Sequence, residues 1–137
     1  MLSLAHLRQS QGAAGQTVLD GVVIESPLGE DALSRSFLAS LAVAAQPRAH
    51  LRAFYQGWIE RAEALAAARR TGRFELAGDP AAAGRRRTAL AEHEELALEI
   101  AGLRARAAKE TQLARRVELN LRLKELESRL AAAAALL

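Results

Sequence analysis

After Pro80 the chain contains no further proline, and its last stretch, 80–137, is dominated by Ala, Leu, Glu and Arg, all strong helix formers. Two apolar stripes run through it. Leu96, Ile100, Leu103 and Ala107 follow at spacings of four, three and four, and Leu119, Leu123, Leu126, Leu130 and Ala133 at four, three, four and three. On one unbroken helix, turning about 100° per residue, the stripes would point roughly 140° apart, so a straight rod would present its apolar seam to two opposite partners. Folding the chain back near Thr111-Gln112 brings Ile100 opposite Leu123, Leu103 opposite Leu119 or Asn120, and Leu96 opposite Leu126 or Glu127. The same fold sets Glu92, Glu94, Glu95 and Glu99 alongside Arg122, Lys124 and Arg129. The spacing therefore predicts an antiparallel coiled-coil helical hairpin over 79–137. No Gly, Pro or Asn marks the bend, and Thr111 is the expected N-cap of the second helix. Along that helix, Glu118 with Arg122 and Glu125 with Arg129 are further pairs at a spacing of four.

Asp79-Pro80 is a good start for the first helix of the pair, because Asp can accept from the free N–H groups of the first turn and Pro at the first helical position gives up no hydrogen bond. Upstream, two shorter helices are expected. One opens at Gly29-Glu30-Asp31 and puts Leu33, Phe37, Leu38 and Leu41 on one face. The other begins after Pro47, aligns Leu51, Phe54, Tyr55, Trp58, Ala62, Leu65 and Ala66, and ends at Thr71-Gly72 behind Arg69 and Arg70. Its aromatic face is the expected core of the body.

Residues 1–16 show no periodicity and read as a flexible N-terminal arm. Asp20-Gly21, between Val18-Leu19 and Val22-Val23-Ile24, is a two-residue β-hairpin signal. A lone hairpin is marginal, and the chain contains no other strand pattern. The readings that stay open are that the chain is the back part of a larger domain whose sheet these strands join, that they pair with another subunit, or that the segment is an irregular arm lying on helices. The organisation expected is thus 1–16 arm, 17–72 β-hairpin and two amphipathic helices, and 79–137 helical hairpin. The fold class is mainly α, a small helical body plus the C-terminal hairpin.

Half of the 137 residues are apolar, mostly Ala and Leu, and only 4% are aromatic, which favours helix packed on helix. No cysteine is present, so disulfides, thiolate metal sites and cysteine nucleophiles are excluded. His6, His50 and His93 have no ligand-spaced neighbours, and Gly12 and Gly15 lack the Gly-Lys-Ser/Thr of a phosphate loop. No catalytic set, cofactor site or metal site is expected. No apolar run approaches the roughly 20 residues of a membrane span. The expectation is a soluble, cytoplasmic, non-enzymatic protein.

Two features could carry contacts. If the hairpin forms, Arg104, Arg106, Lys109, Arg115 and Arg116 gather at its tip as a basic patch suited to phosphates or an acidic surface. Leu113, Val117 and Leu121 form a second stripe on the second helix, a candidate surface for a protein partner. Arg85-Arg86-Arg87 spreads around its helix and reads as a solvated face. The net charge of +3 is carried almost wholly by arginine and is a weak pointer to nucleic acid.

The segment AAKETQLARRVELNLRLKELESRL resembles the carboxy-terminal end of the family grouped as domain of unknown function 4391. Lys109, Gln112, Arg116, Val117, Glu118, Leu119 and Asn120 stand at its basic, KxxQ and Val-Glu-Leu-Asn positions. Residues 54–74 look like a helix found upstream in some members, and the resemblance spans 17–135. It implies a longer parent with an amino-terminal α/β region that would supply a sheet. It also implies an accessory role in a bacterial DNA-handling or defence complex, beside helicase or methyltransferase components. The readings left by the residues are a protein-interaction module, a nucleic-acid-binding accessory using the basic tip, and the inactive back part of an enzyme.

Overall fold

The computed structural model describes the whole chain except His6, Ala13, Ala14 and residues 20–22, and only the backbone of Leu7 and Arg8. The chain divides into two compact units, Met1–Ala83 and Gly84–Leu137.

The first unit begins with strands. β1 (Leu2–Leu4) pairs antiparallel with β4 (Ile24–Ser26), and β2 (Leu7–Gln9) pairs antiparallel with β3 (Thr17–Leu19). Short antiparallel β structure near the N-terminus is therefore present, but its strands are partnered differently from expectation. The two segments flanking Asp20-Gly21 pair with residues 2–9, and Asp20-Gly21 itself lies outside the described residues. Next to this pair of strands Ser10 N–H donates to Gln16 O at 2.8 Å, and Gly15 holds φ at 82°. The expected arm thus contains two strands. The strands are three residues each, too short to register as a periodicity, and in β1 Leu2 and Leu4 are half-buried while Ser3 is exposed.

α1 (Ala32–Ser40) is capped by Asp31, whose carboxylate accepts from Ser34 N–H at 2.9 Å. α2 (Leu51–Thr71) is capped by His50, whose Nδ1 accepts from Ala53 N–H at 3.0 Å, and it ends at Gly72 in the left-handed region with φ 79°. The core of this unit is Phe37, Ala62 and Leu65, with Leu2, Leu4, Ile24, Leu33, Leu41 and Phe74 packed around them. Phe74 meets Phe37 edge-on, with ring centroids 6.4 Å apart.

Two expectations about this core are corrected. Leu38 is exposed, because the buried face of α1 follows Leu33, Phe37 and Leu41 at steps of four, with Ser34 buried beside them. The aromatic start of α2 is also not its centre. Leu51 and Tyr55 are exposed, the half-buried Phe54 and Trp58 meet with their rings tilted by 58° and centroids 4.9 Å apart, and the fully buried stretch lies a turn later, from Arg61 to Ala68.

Buried Arg61 ties this unit together. Its Nε donates to Ser40 O at 2.8 Å, and its terminal nitrogens donate to Gly57 O at 2.9 Å and Ala45 O at 3.0 Å. The guanidinium therefore closes the C-terminal end of α1, where unpaired carbonyls concentrate negative potential. Gln46 Nε2 adds bonds to Ser40 O and Ala42 O. A Cβ at Gly57 would come within 2.8 Å of both Gln46 and Pro47, so only glycine allows α2 to approach this turn.

The second unit is a helix pair. α3 (Pro80–Lys109), whose first turn belongs to the first unit, starts as expected: Asp79 accepts from Ala82 N–H at 2.7 Å. It is followed by α4 (Leu113–Ala134). The two out-of-phase stripes do meet. Leu96, Ile100, Leu103, Leu123 and Leu126 form one buried cluster, with Ala107, Leu119 and Leu130 against it. Leu126 is completely buried, which stabilises the pair by about 1.5–3 kcal/mol relative to an exposed position. Arg122 reaches Glu99 and Arg129 reaches Glu92, each at 3.5 Å, joining the acidic stretch of α3 to α4. The expected pairs along α4 are replaced: Arg122 binds Glu125 at 2.9 Å rather than Glu118, and Arg129 binds Glu92 rather than Glu125.

Candidate functional site

The bend between α3 and α4 consists of Glu110, Thr111 and Gln112 only. Gln112, not Thr111, is the N-cap residue, with φ −79° and ψ 119° and no side-chain cap. The Glu110 carboxylate accepts from Gln112 N–H at 2.8 Å, while Glu110 N–H donates to Ala107 O at 3.3 Å. Among the described residues no non-glycine has positive φ. The turn is thus made of ordinary backbone conformations held by a local acidic side chain, which is why neither Gly nor Asn announces it.

α4 presents two apolar faces. One, from Leu119 to Leu130, is buried against α3. The other carries Leu113, Val117 and Leu121, which are 67%, 50% and 66% exposed. At about 100° per residue Val117 lies roughly 160° from Leu119, so this face looks away from α3. Asn120, within the same stretch, is exposed as well.

The five cations expected at the tip do not act as one group. Arg104 is held by Glu127 at 2.7 Å and belongs to the ion pairs that cross the hairpin. Arg106, Lys109, Arg115 and Arg116 are exposed, and among the described residues they make no ion pair. Beside the tip lies a shallow depression of about 630 Å³. Its charged lining sets Arg106, Arg115 and Arg122 against Glu110, Glu118 and Glu125, so it is balanced in sign and selects neither anions nor cations.

The first unit holds a polar cluster that the sequence reading did not foresee. Arg69 contacts the Asp31 carboxylate at 2.9 Å, Ser34 Oγ at 2.7 Å and Pro27 O at 2.9 Å. Its guanidinium, with the Ser34 N–H second, holds the Asp31 carboxyl well below the usual carboxylate range. The cluster fastens the start of α1 to the end of α2, and the capping pattern Asp31-x-x-Ser34 was its only local signal.

Among the described residues no group of three or more His, Asp or Glu side chains could hold a metal ion, and His6 lies outside them. Among them, too, no helix is long and apolar enough to cross a membrane.

No curated protein and no solved structure matches the chain. The family described as Domain of unknown function (DUF4391) matches residues 1–130, which takes in most of the hairpin and also the N-terminal residues that the expected 17–135 left out. With its first strand and nearly all of its second long helix inside that match, the chain belongs to the DUF4391 family.

Proposed function

We propose that this chain is a non-enzymatic protein-interaction module that docks through the outward face of α4. The observation that carries the reading is the exposure of Leu113, Val117 and Leu121, aligned over two helical turns on a helix whose opposite face is already buried. Each such side chain gains about 1.5–3 kcal/mol when fully removed from water, so a partner covering all three has a substantial anchor. The short turn and the ion pairs Arg104–Glu127, Arg122–Glu99 and Arg129–Glu92 hold α4 against α3 while this face stays open. Nucleic-acid contact by the tip has less behind it, because Arg104 is engaged and Glu110 and Glu118 lie among the remaining arginines.

A photo-crosslinking amino acid placed at Val117, with Glu95 on α3 as the exposed control position, tests the reading in cells. The expected result is a discrete protein adduct from position 117 that Leu113→Ser with Leu121→Ser abolishes and that position 95 does not give. No adduct at 117 overturns the docking face.

A further inference from the structure

We infer that the occupant of this face is a second copy of the chain, with the two α4 helices lying parallel about a twofold axis. The inference rests on the reading of Leu113, Val117 and Leu121 as a docking face and adds to it a partner and an orientation.

The argument comes from the flanks of the stripe. With Val117 at its centre, Arg116 falls about 100° to one side and Glu118 about 100° to the other. Both are exposed, and neither makes an ion pair among the described residues. Asn120 lies on the side of Arg116, and Glu125 on the side of Glu118. Glu127 on the side of Arg116, and Arg122, Glu125 and Arg129 on the side of Glu118, are held in ion pairs within the hairpin, so among the described residues the unpaired charges beside the stripe are Arg116 on one flank and Glu118 on the other. The apolar stripe spans about 12 Å and is closed by Lys124, the next residue along it.

A stripe with an unpaired cation on one flank and an unpaired anion on the other complements itself in one sense only. A twofold axis along the helices lays the Arg116 flank of each copy against the Glu118 flank of the other. Arg116 then faces Glu118 of the second copy on both sides of the seam. Leu113, Val117 and Leu121 stack on their own counterparts in successive layers, and Lys124 comes beside Glu125 across the same seam. An antiparallel pairing sets Arg116 beside Arg116 and Glu118 beside Glu118, which like-charge repulsion disfavours. α3 packs on the opposite face of α4 and leaves this approach open. Three side chains per copy bury far less than the roughly 1,200 Å² of a typical stable complex, so the dimer is weak and grows in with concentration.

The absence of cysteine makes the test direct, since a single introduced thiol reports one site. Under mild oxidation of the full chain, Leu121→Cys is expected to form a disulfide-linked dimer while the control Glu95→Cys stays monomeric. Adding Arg116→Glu should slow that crosslink roughly tenfold, and Arg116→Glu with Glu118→Arg should restore it. The proposal is overturned if Leu121→Cys crosslinks no faster than Glu95→Cys. It is equally overturned if a mixture of Leu113→Cys and Leu121→Cys chains crosslinks faster than Leu121→Cys alone, the mark of an antiparallel pair. Failure here combined with an adduct to a different protein from Val117 removes the second copy and keeps the docking face. No adduct of any kind removes both.

Discussion

The two apolar faces of α4 contain the same kinds of residue at similar spacings and have opposite fates. Leu119, Leu123, Leu126 and Leu130 meet the stripe of α3, and Leu126 is shut off from water entirely. Leu113, Val117 and Leu121 remain more than half or about half exposed on the other side. Helical periodicity finds both faces equally well. What separates them is whether the chain supplies a second stripe in register, and within the hairpin α3 supplies only one. An apolar face left uncovered on a helix is surface that a partner can remove from water, and the docking proposal rests on it.

The largest effect that would break this comparison is at its buried end. Leu126→Ala is expected to destabilise the hairpin by about 2–5 kcal/mol in urea unfolding followed by circular dichroism, whereas Leu121→Ala in dilute protein should stay within about 0.5 kcal/mol of the parent. Equal losses would mean that α4 is covered on both sides within a single chain.

A second contrast separates the ion pairs of the two units. Those of the hairpin join exposed arginines to exposed glutamates, while Asp31 in the first unit is gripped by Arg69 and by the side chain and N–H of Ser34 together. Because its carboxyl titrates lower in the folded than in the unfolded state, the stability it contributes is fully present above the ordinary aspartate value, about 3.9, and is lost as pH falls through and below that range. Trp58, the sole tryptophan, lies in this unit and reports its unfolding by fluorescence. Asp31→Asn is expected to lower stability at pH 7 and to flatten the acid limb of the profile. An acid limb that keeps its full slope in the variant would assign it to other carboxylates.

The smallest effect is expected from the cross-hairpin pair Arg104–Glu127. Both side chains are about half exposed or more, so a double-mutant cycle should give a coupling of only about 0.2–1 kcal/mol that fades with added salt. A larger coupling would show that the tip is fixed by charge as well as by its leucine seam.

Much of the hairpin was legible because its determinants are local. The loss of phase between Ala107 and Leu119 located the bend, and the acidic run of α3 found Arg122 and Arg129. The details of the turn were not legible, since Glu110 does by side chain what a glycine would do by backbone. In the first unit the order of strand pairing was missed for a different reason. β1 and β4 are separated in sequence by the paired strands β2 and β3, and only the common core of Phe37, Ala62 and Leu65 rewards their meeting. The role of Arg61 was equally hidden: an arginine on a helix looks solvated until two carbonyls of the preceding segment, Ser40 and Ala45, and one of its own helix, Gly57, converge on it.

Residue spacing alone determined that this chain would be mainly helical, that its 79–137 stretch would double back, and that α4 would carry a stripe too many. Those properties follow from helix geometry and residue chemistry, which act over a few turns. The tertiary structure decided which strand each N-terminal segment pairs with, and that Arg104 serves the hairpin while Arg106, Lys109, Arg115 and Arg116 make no ion pair among the described residues. These are outcomes of competition between groups far apart in sequence, and they are set only when the apolar surfaces have found each other.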